Sequence, residues 1–263
     1  MRQRETKKAL ITVRTYPIPA SPGIEASCTA AITDDGKWLR LYPIPYRFMD
    51  HDKRFRKYQW IEVNVAKASD PRPESYNPDI DSIKILTEPL STTNEWQERK
   101  NYVFPLMSQS LCELQRKRDA DKYPTLGFFK PKIIERLRIT QTDSTWTQEE
   151  LNLLRQGLLF QKSPQAELEK IPYIFTYIFR CDEGECNGHV LSCTDWEMGE
   201  SWRRWSRSYG EDWEIKFRQR YEREMIEKHD THFYVGTIYA HPNRWIIIGL
   251  FYPPKPTNLS LFT

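Results

Sequence analysis

A chain of 263 residues has room for one large domain or two small ones, and it can bury a core without staples. Its 39 Lys and Arg against 36 Asp and Glu leave a net charge of only +3, which excludes a uniformly basic, histone-like binder and moves any nucleic-acid argument onto local clusters. An odd count of five cysteines argues against a disulfide framework and for a reducing cytoplasm; the polar start at 1–8 and the short apolar run after it resemble neither a signal peptide nor a membrane span.

The first third reads as sheet. Residues 9–16 (ALITVRTY) form a strand, and strands at 28–33 and 37–42 flank Asp34-Asp35-Gly36, a hairpin turn whose glycine supplies the positive φ that such turns use. In the second arm Trp38, Arg40 and Tyr42 share one face, an amphipathic arrangement suited to a contact surface. Two strands end in the same Tyr-Pro-Ile-Pro, at 16–19 and 42–45, where proline ends sheet pairing. After the second comes a basic and aromatic cluster, Arg47, Phe48, Lys53, Arg54, Phe55, Arg56, Lys57 and Tyr58, opposed locally only by Asp50 and Asp52. Cations interleaved with rings suit phosphate contact and base stacking, and this segment is the first candidate for a nucleic-acid interface. A strand at 58–66 and a proline-rich extended loop or linker at 70–78 follow.

The middle is more helical. Thr92 with Glu95, Ser110 with Glu113, and Thr147 with Glu150 fit the capping box, in which a hydroxyl and a glutamate satisfy each other's orphan amides. Residues 130–140 read as a strand between the second and third of these helices. The polar, proline-containing stretch 161–169 is the expected boundary, giving a β-rich then helical unit at 1–160 and a second α+β unit at 170–263, or one continuous domain.

The last third opens with a strand at 173–180 and then carries Cys181, Cys186, His189 and Cys193, spaced C-x4-C-x2-H-x3-C. Thiolates and imidazole are the ligands Zn²⁺ prefers, and the polar, turn-forming residues between them suit a loop wrapped round an ion, so a closed structural zinc site on these four residues is expected. Two helices follow, each opened by Asp-Trp-Glu at 195–197 and 212–214. The acids read chiefly as helix starts, Thr194 with Glu197 forming a capping box; Met198, Trp202, Trp205 and Tyr209, then Trp213, Phe217, Tyr221 and Met225, form apolar stripes. Arg203, Arg204 and Arg207 give a second basic surface, with Lys216, Arg220 and Arg223 on the next helix and several glutamates able to neutralise them. Asp195 and Glu197 with His229 and His232 are the weak candidates for catalysis. Strands at 233–239 and 245–252 close the chain. No phosphate-cradling glycine loop, G-x-S-x-G, G-x-G-x-x-G or H-E-x-x-H motif occurs, which removes the common NTPase, hydrolase, dinucleotide-binding and zincin readings.

The phrases WLRLYPIPYR (38–47), KYQWIEV (57–63), RPESYNP (72–78), LGFFKP (126–131) and HFYVGTIYAHPNRWIIIGLFYPP (232–254) resemble those of an uncharacterised prokaryotic family. The resemblance implies a neighbourhood of mobile elements and phage-defence genes and no established activity. The sequence thus points to an α+β protein with mainly antiparallel sheets, packed helices and a zinc-stapled loop. The expected function is binding of nucleic acid, DNA or RNA, within a larger defence or mobile-element assembly of other protein subunits. A metal-dependent nuclease and a protein-interaction adaptor are the alternatives.

Overall fold

Along the first strand, β1 (Arg4–Arg14), Ala9 and Ile11 turn to one side while Leu10 and Val13 turn to the other, and all four are fully buried. A strand buried on both faces must lie between two cores. In the computed structural model, which describes residues 4–20, 24–158 and 167–256, β1 does so.

One of these cores is the inside of a barrel. β1 pairs with β3 (Ile24–Thr33), β3 with β4 (Trp38–Ile44), β4 with β6 (Ser75–Pro78), β6 with β5 (Trp60–Lys67), and β5 returns to β1, closing five strands; β2 (Ile18–Ala20) and β7 (Lys84–Ile85) are appended to β3 and β5. Closure removes the unpaired edges that an open sheet would present. Ile11, Leu39, Leu41, Phe55, Ile61, Val63 and Val65 fill the interior. The hairpin turn is as expected, with Gly36 at φ 76°. Part of the proline-rich stretch is not a loop: Ser75–Pro78 is the strand that closes the barrel, parallel to β4 and antiparallel to β5.

The second sheet runs in the order β8 (Leu126–Phe129), β12 (His232–Thr237), β13 (Trp245–Phe251), β11 (His189–Cys193), β10 (Tyr173–Arg180), β9 (Ile133–Gln141), antiparallel except between β11 and β13. The strand expected at 130–140 is β9, and a further strand not read from the sequence, β8, precedes it on the other side of Pro131. One face carries Phe175, Tyr177, Phe179, Phe233 and Ile247 and is covered by α4 (Trp196–Tyr209) and α5 (Trp213–Arg218), the latter continuing through a π turn at Gln219–Arg223 into α6 (Glu224–Glu227). Trp213, Phe217, Tyr221 and Met225 form the expected buried stripe; in the preceding helix Met198 and Trp202 are buried, but Tyr209 is exposed. The other face meets the barrel through β12 and β13, where Tyr234, Ile248 and Phe251 pack against Leu10, Val13 and Ile32. The architecture is α+β, with mixed but mainly antiparallel sheets.

Two helices fill in between the sheets in sequence, α1 (Thr93–Val103) and α2 (Leu111–Asp121), and α3 (Gln148–Leu158) packs on β2 and β3. The capping boxes at 110–113 and 147–150 form as expected: Ser110 Oγ accepts from the Glu113 amide at 2.9 Å, and the Glu150 carboxylate accepts from the Thr147 amide at 2.8 Å. The one at Thr92 does not. Asn94, Glu95 and Trp96 form a left-handed turn with φ of 50°, 55° and 64°, and Glu98 instead accepts from the Ser91 amide. Much of the boundary expected at 161–169 lies outside the described residues.

Candidate metal centre and ligand site

The hairpin from β10 to β11 turns through Cys181 to His189. Its tip lies against the start of α2, where the Glu183 carboxylate accepts from Ser110 Oγ and pairs with Arg116 at 2.6 Å. This docking brings Cys112, on the first turn of α2, to the hairpin. The Sγ atoms of Cys112, Cys181 and Cys186 and a ring nitrogen of His189 all lie within 4.8 Å of one another. Cys112 Sγ and Cys186 Sγ stand 3.2 and 3.4 Å from His189 Nε2. A tetrahedral ion with bonds of about 2.0–2.3 Å would hold its ligand atoms roughly 3.5–3.8 Å apart, so the donor set fits a metal ion with small adjustments. Burial pushes the Cys112 thiol up to about 12 and raises Cys181, while at Cys186 burial is outweighed by the backbone amides of Cys181 and Gly188, which lower it. Burial also lowers His189, keeping its imidazole neutral and able to ligate.

Cys193 is not in the group, and this corrects the expected ligand set. β11 is already a strand at His189, so Cys193, four residues on, lies about 13 Å along it. It is 6% exposed and packs in the helix-facing core, paired in register with Ile247. The fourth ligand, Cys112, is 69 residues upstream of Cys181 and carried no local spacing signal.

The expected nucleic-acid segment is consumed by the fold. Phe55 is 0% exposed inside the barrel, with its ring 5.5 Å from that of Tyr46, and has no face to offer a base. Arg47 pairs with the buried Glu25 at 3.1 Å, and Lys53 with Asp81 at 3.5 Å. Arg54 donates to the carbonyls of Met49 and Arg47. Lys57 reaches across to the second sheet, 3.3 Å from Asp195 and 3.4 Å from Glu197. Of the cluster's cations, Arg56 is the exposed one. On α4, Glu169 takes Arg203 and Arg207, and Arg204 lies over the Trp205 ring. That helix is a salt-bridged face.

The candidate catalytic acids hold the two halves of the molecule together. Asp195, rather than Thr194, is the cap of α4: its Oδ1 accepts from the Glu197 amide and its Oδ2 from the Leu250 amide and from Lys57. Burial alone would lower Lys57, but the two carboxylates raise it and keep it charged. At Glu197, burial is outweighed by Lys57 and by the Tyr252 hydroxyl, which donates at 3.1 Å, so its carboxyl is lowered. The histidines do not converge on them. His229 lies near Arg220, and His232 is buried among Phe104, Phe128 and Phe251, lowered by that burial. Among the described residues these acids and histidines form no metal-holding group, and a metal-dependent nuclease built on them has no geometric support.

What the sequence did not reveal lies at the seam between barrel and sheet. The face of β4 that carries Arg40 and Tyr42 borders a cavity of about 540 Å³, closed on the other side by Ile246 and Ile248 of β13 and by Thr194 and Thr237. Beyond Thr194 the same sheet face carries on through β11, β10 and β9, with Thr176 buried and Val190, Arg136 and Arg138 exposed. Register places Ser192, Thr176 and Arg138 in one cross-strand row, and Val190, Ile178 and Arg136 in the next. Arg136 and Arg138 are exposed, and among the described residues no acidic partner lies against either. The signal available was the alternation in 133–139 (IIERLRI), read as a strand but not as a surface.

The model of a domain of unknown function, DUF8757, matches residues 107–263, more than half of the sequence and the whole of the metal group. The chain belongs to the DUF8757 family. A second model, that of the domain of unknown function DUF8758, matches residues 5–105, the barrel and α1. The DUF8757 portion thus supplies every candidate metal ligand and both open-face arginines, while the seam cavity is shared between the two. No curated protein sequence matches the chain significantly.

Proposed function

We propose that the protein binds nucleic acid through the open β9–β11 face and the adjoining seam cavity, and that its Cys3His group holds a structural Zn²⁺. The observation that carries the first part is the pair of exposed guanidinium groups, Arg136 and Arg138, which have no acidic partner among the described residues and stand on the same sheet face as Thr194 of the cavity wall. Phosphates are held by such cations, and a cavity beside them can accept what the backbone delivers. The zinc assignment rests on donor chemistry. Three thiols and an imidazole leave no place for water or substrate, which is the mark of a structural rather than a catalytic site, and the four donors tie α2 to the β10–β11 hairpin.

Fluorescence anisotropy with single- and double-stranded DNA and RNA, over a range of salt, tests the first part. Binding should fall linearly in log–log form, and Arg136→Glu with Arg138→Glu should make the slope shallower by about 1.4–1.8, two phosphate contacts' worth. No binding at low salt would refute it. A protein-interaction role is the second reading, favoured by Ile133, Ile174 and Val190, which are 52%, 46% and 52% exposed on the same sheet. Ile174→Asn separates the two, since it should abolish a protein contact and, being uncharged, spare a phosphate contact.

A further inference from the structure

Left-handed backbone is costly for any residue but glycine and persists where the surroundings over-determine it, most often at functional sites. Among the described residues five non-glycine positions have it, and four of them, Tyr58, Asn94, Glu95 and Trp96, meet where the barrel, α1 and β13 come together. Tyr58 is pinned through its backbone: its amide donates to the Ile11 carbonyl at 2.6 Å, and its carbonyl accepts from the Leu90 amide at 2.8 Å. The turn at 94–96 sets the Trp96 ring 5.3 Å from that of Phe251 and 5.2 Å from that of Tyr252. Just beyond it, Arg99 lies across the rings so placed. Its guanidinium carbon is 4.2 Å from the Tyr58 ring and 4.8 Å from the Trp96 ring, and its Nε donates to the Leu90 carbonyl at 2.9 Å. The two terminal nitrogens of Arg99 have no hydrogen-bond partner among the described residues and are not sealed from solvent.

Arg99 lines a cavity of about 250 Å³ together with Arg56, Lys57, Trp96, Glu197 and Tyr252. Lys57 sits between Asp195, which is buried behind the lining, and Glu197, whose second oxygen accepts from the Tyr252 hydroxyl. These groups are occupied with one another. Arg56 is exposed, and among the described residues neither Arg56 nor Arg99 pairs with an acid. The lining described thus carries three cations and one acid, with two guanidiniums left uncompensated.

We propose that this cavity binds a phosphate group, the dianionic end of a phosphate monoester. A guanidinium offers a planar fork of donors matched to phosphate oxygens, and two of them on one small cavity suit three oxygens with two charges better than a lone carboxylate. The volume is below the roughly 300–1,000 Å³ usual for whole small-molecule ligands, so the cavity takes the phosphate and leaves the rest of the ligand outside. The rings are not a base platform, because Tyr58 and Trp96 already carry Arg99 and pack against Phe251. The strained turn has a purpose in this arrangement: it fixes the direction of Arg99, which then loses little freedom on binding. A small phosphorylated molecule and the phosphorylated end of a nucleic-acid strand offer the same chemistry. The site stands apart from the β9–β11 face and does not rest on it.

Thermal denaturation of the full chain in inorganic phosphate, glycerol phosphate, acetate and chloride at matched ionic strength tests the site, with calorimetry for the affinities. Both phosphates should raise the melting temperature in a saturable way, by mass action on the folded state, and acetate and chloride should not. Arg56→Ala loses no partner within the protein, so without phosphate it should melt as the wild type does, while phosphate affinity falls about ten-fold or more. Arg99→Lys keeps the charge and loses the fork, and should also weaken phosphate binding per folded molecule. Equal stabilisation by phosphate and chloride, or phosphate affinity unaltered in both variants, would overturn the proposal. Anisotropy with strands ending in a 5′-phosphate or a 5′-hydroxyl assigns the source. A preference for the phosphorylated end that Arg56→Ala removes would place a strand end here; equal binding of the two strands, with glycerol phosphate still bound, would assign the site to a small molecule, and both results uphold the cavity. Phosphate binding in a protein that binds no oligonucleotide would leave this site standing and remove the nucleic-acid reading.

Discussion

Removing Cys112 separates the two possible ligand sets more sharply than any change in the hairpin, because Cys181, Cys186 and His189 belong to both. In the structure the Cys112 sulfur is 3.2 Å from His189 Nε2, whereas Cys193 lies about 13 Å along β11 from His189, further than any single ion can bridge. Structural zinc sites contribute roughly 10–16 kcal/mol of apparent binding free energy, as much as the whole net stability of an ordinary domain, about 5–15 kcal/mol. Losing one of four ligands should therefore bring the second sheet close to unfolding. Cys112→Ser should yield protein with much less than one metal per chain, a strongly lowered melting temperature and ready loss of the remaining metal to a chelator. Cys193→Ala removes only a small buried group and should cost about 1 kcal/mol at full metal content. Elemental analysis and thermal denaturation on the two variants provide the readout. Full metal in Cys112→Ser with loss in Cys193→Ala would refute the assignment.

Three further outcomes follow from the seam and the barrel. Burial, partly offset by Arg47, raises Glu25 to about 7, so its favourable contribution is complete below about pH 4.5 and is lost as pH climbs through 7; Glu25→Gln should match the wild type at pH 4 and exceed it by about 3 kcal/mol at pH 8 in urea denaturation. Phe55→Ala should cost about 3–5 kcal/mol, with nucleic-acid affinity per folded molecule unchanged when denaturation and anisotropy are compared. Asp195→Asn should cost about 3–5 kcal/mol by leaving Lys57 buried with a weakened partner, and Lys57→Met with Asp195→Asn should cost less than the sum of the single changes in a double-mutant cycle.

Elements governed by local pattern could be read from the sequence. The strand at 173–180, the stripe Trp213, Phe217, Tyr221 and Met225, the hairpin turn at Gly36 and two of four capping boxes need only neighbours within a few residues, and all four features are in the structure. Features set by distant contact could not. Arg47, Lys53 and Lys57 look unopposed because their acids, Glu25, Asp81 and Asp195, come from elsewhere in the chain. Cys112 joins the hairpin only because Glu183 docks on α2, and the amphipathic face of β4 was noticed without any means of knowing that a second sheet would meet it and leave a cavity. The ligand set failed at Cys193 for a related reason: four ligands within thirteen residues presuppose a loop, and the last five of those residues are extended strand.

The most direct test of the nucleic-acid surface is photo-crosslinking of the full chain to an oligonucleotide carrying photoreactive bases, with the attached peptides identified by mass spectrometry. Adducts should concentrate on β9–β11, around Arg136 and Arg138, and at the cavity mouth on Tyr42 and Tyr239, and an excess of unlabelled oligonucleotide should compete them away. Competed adducts confined to 47–58 or to Arg203–Arg207, with β9–β11 clean, would contradict the account.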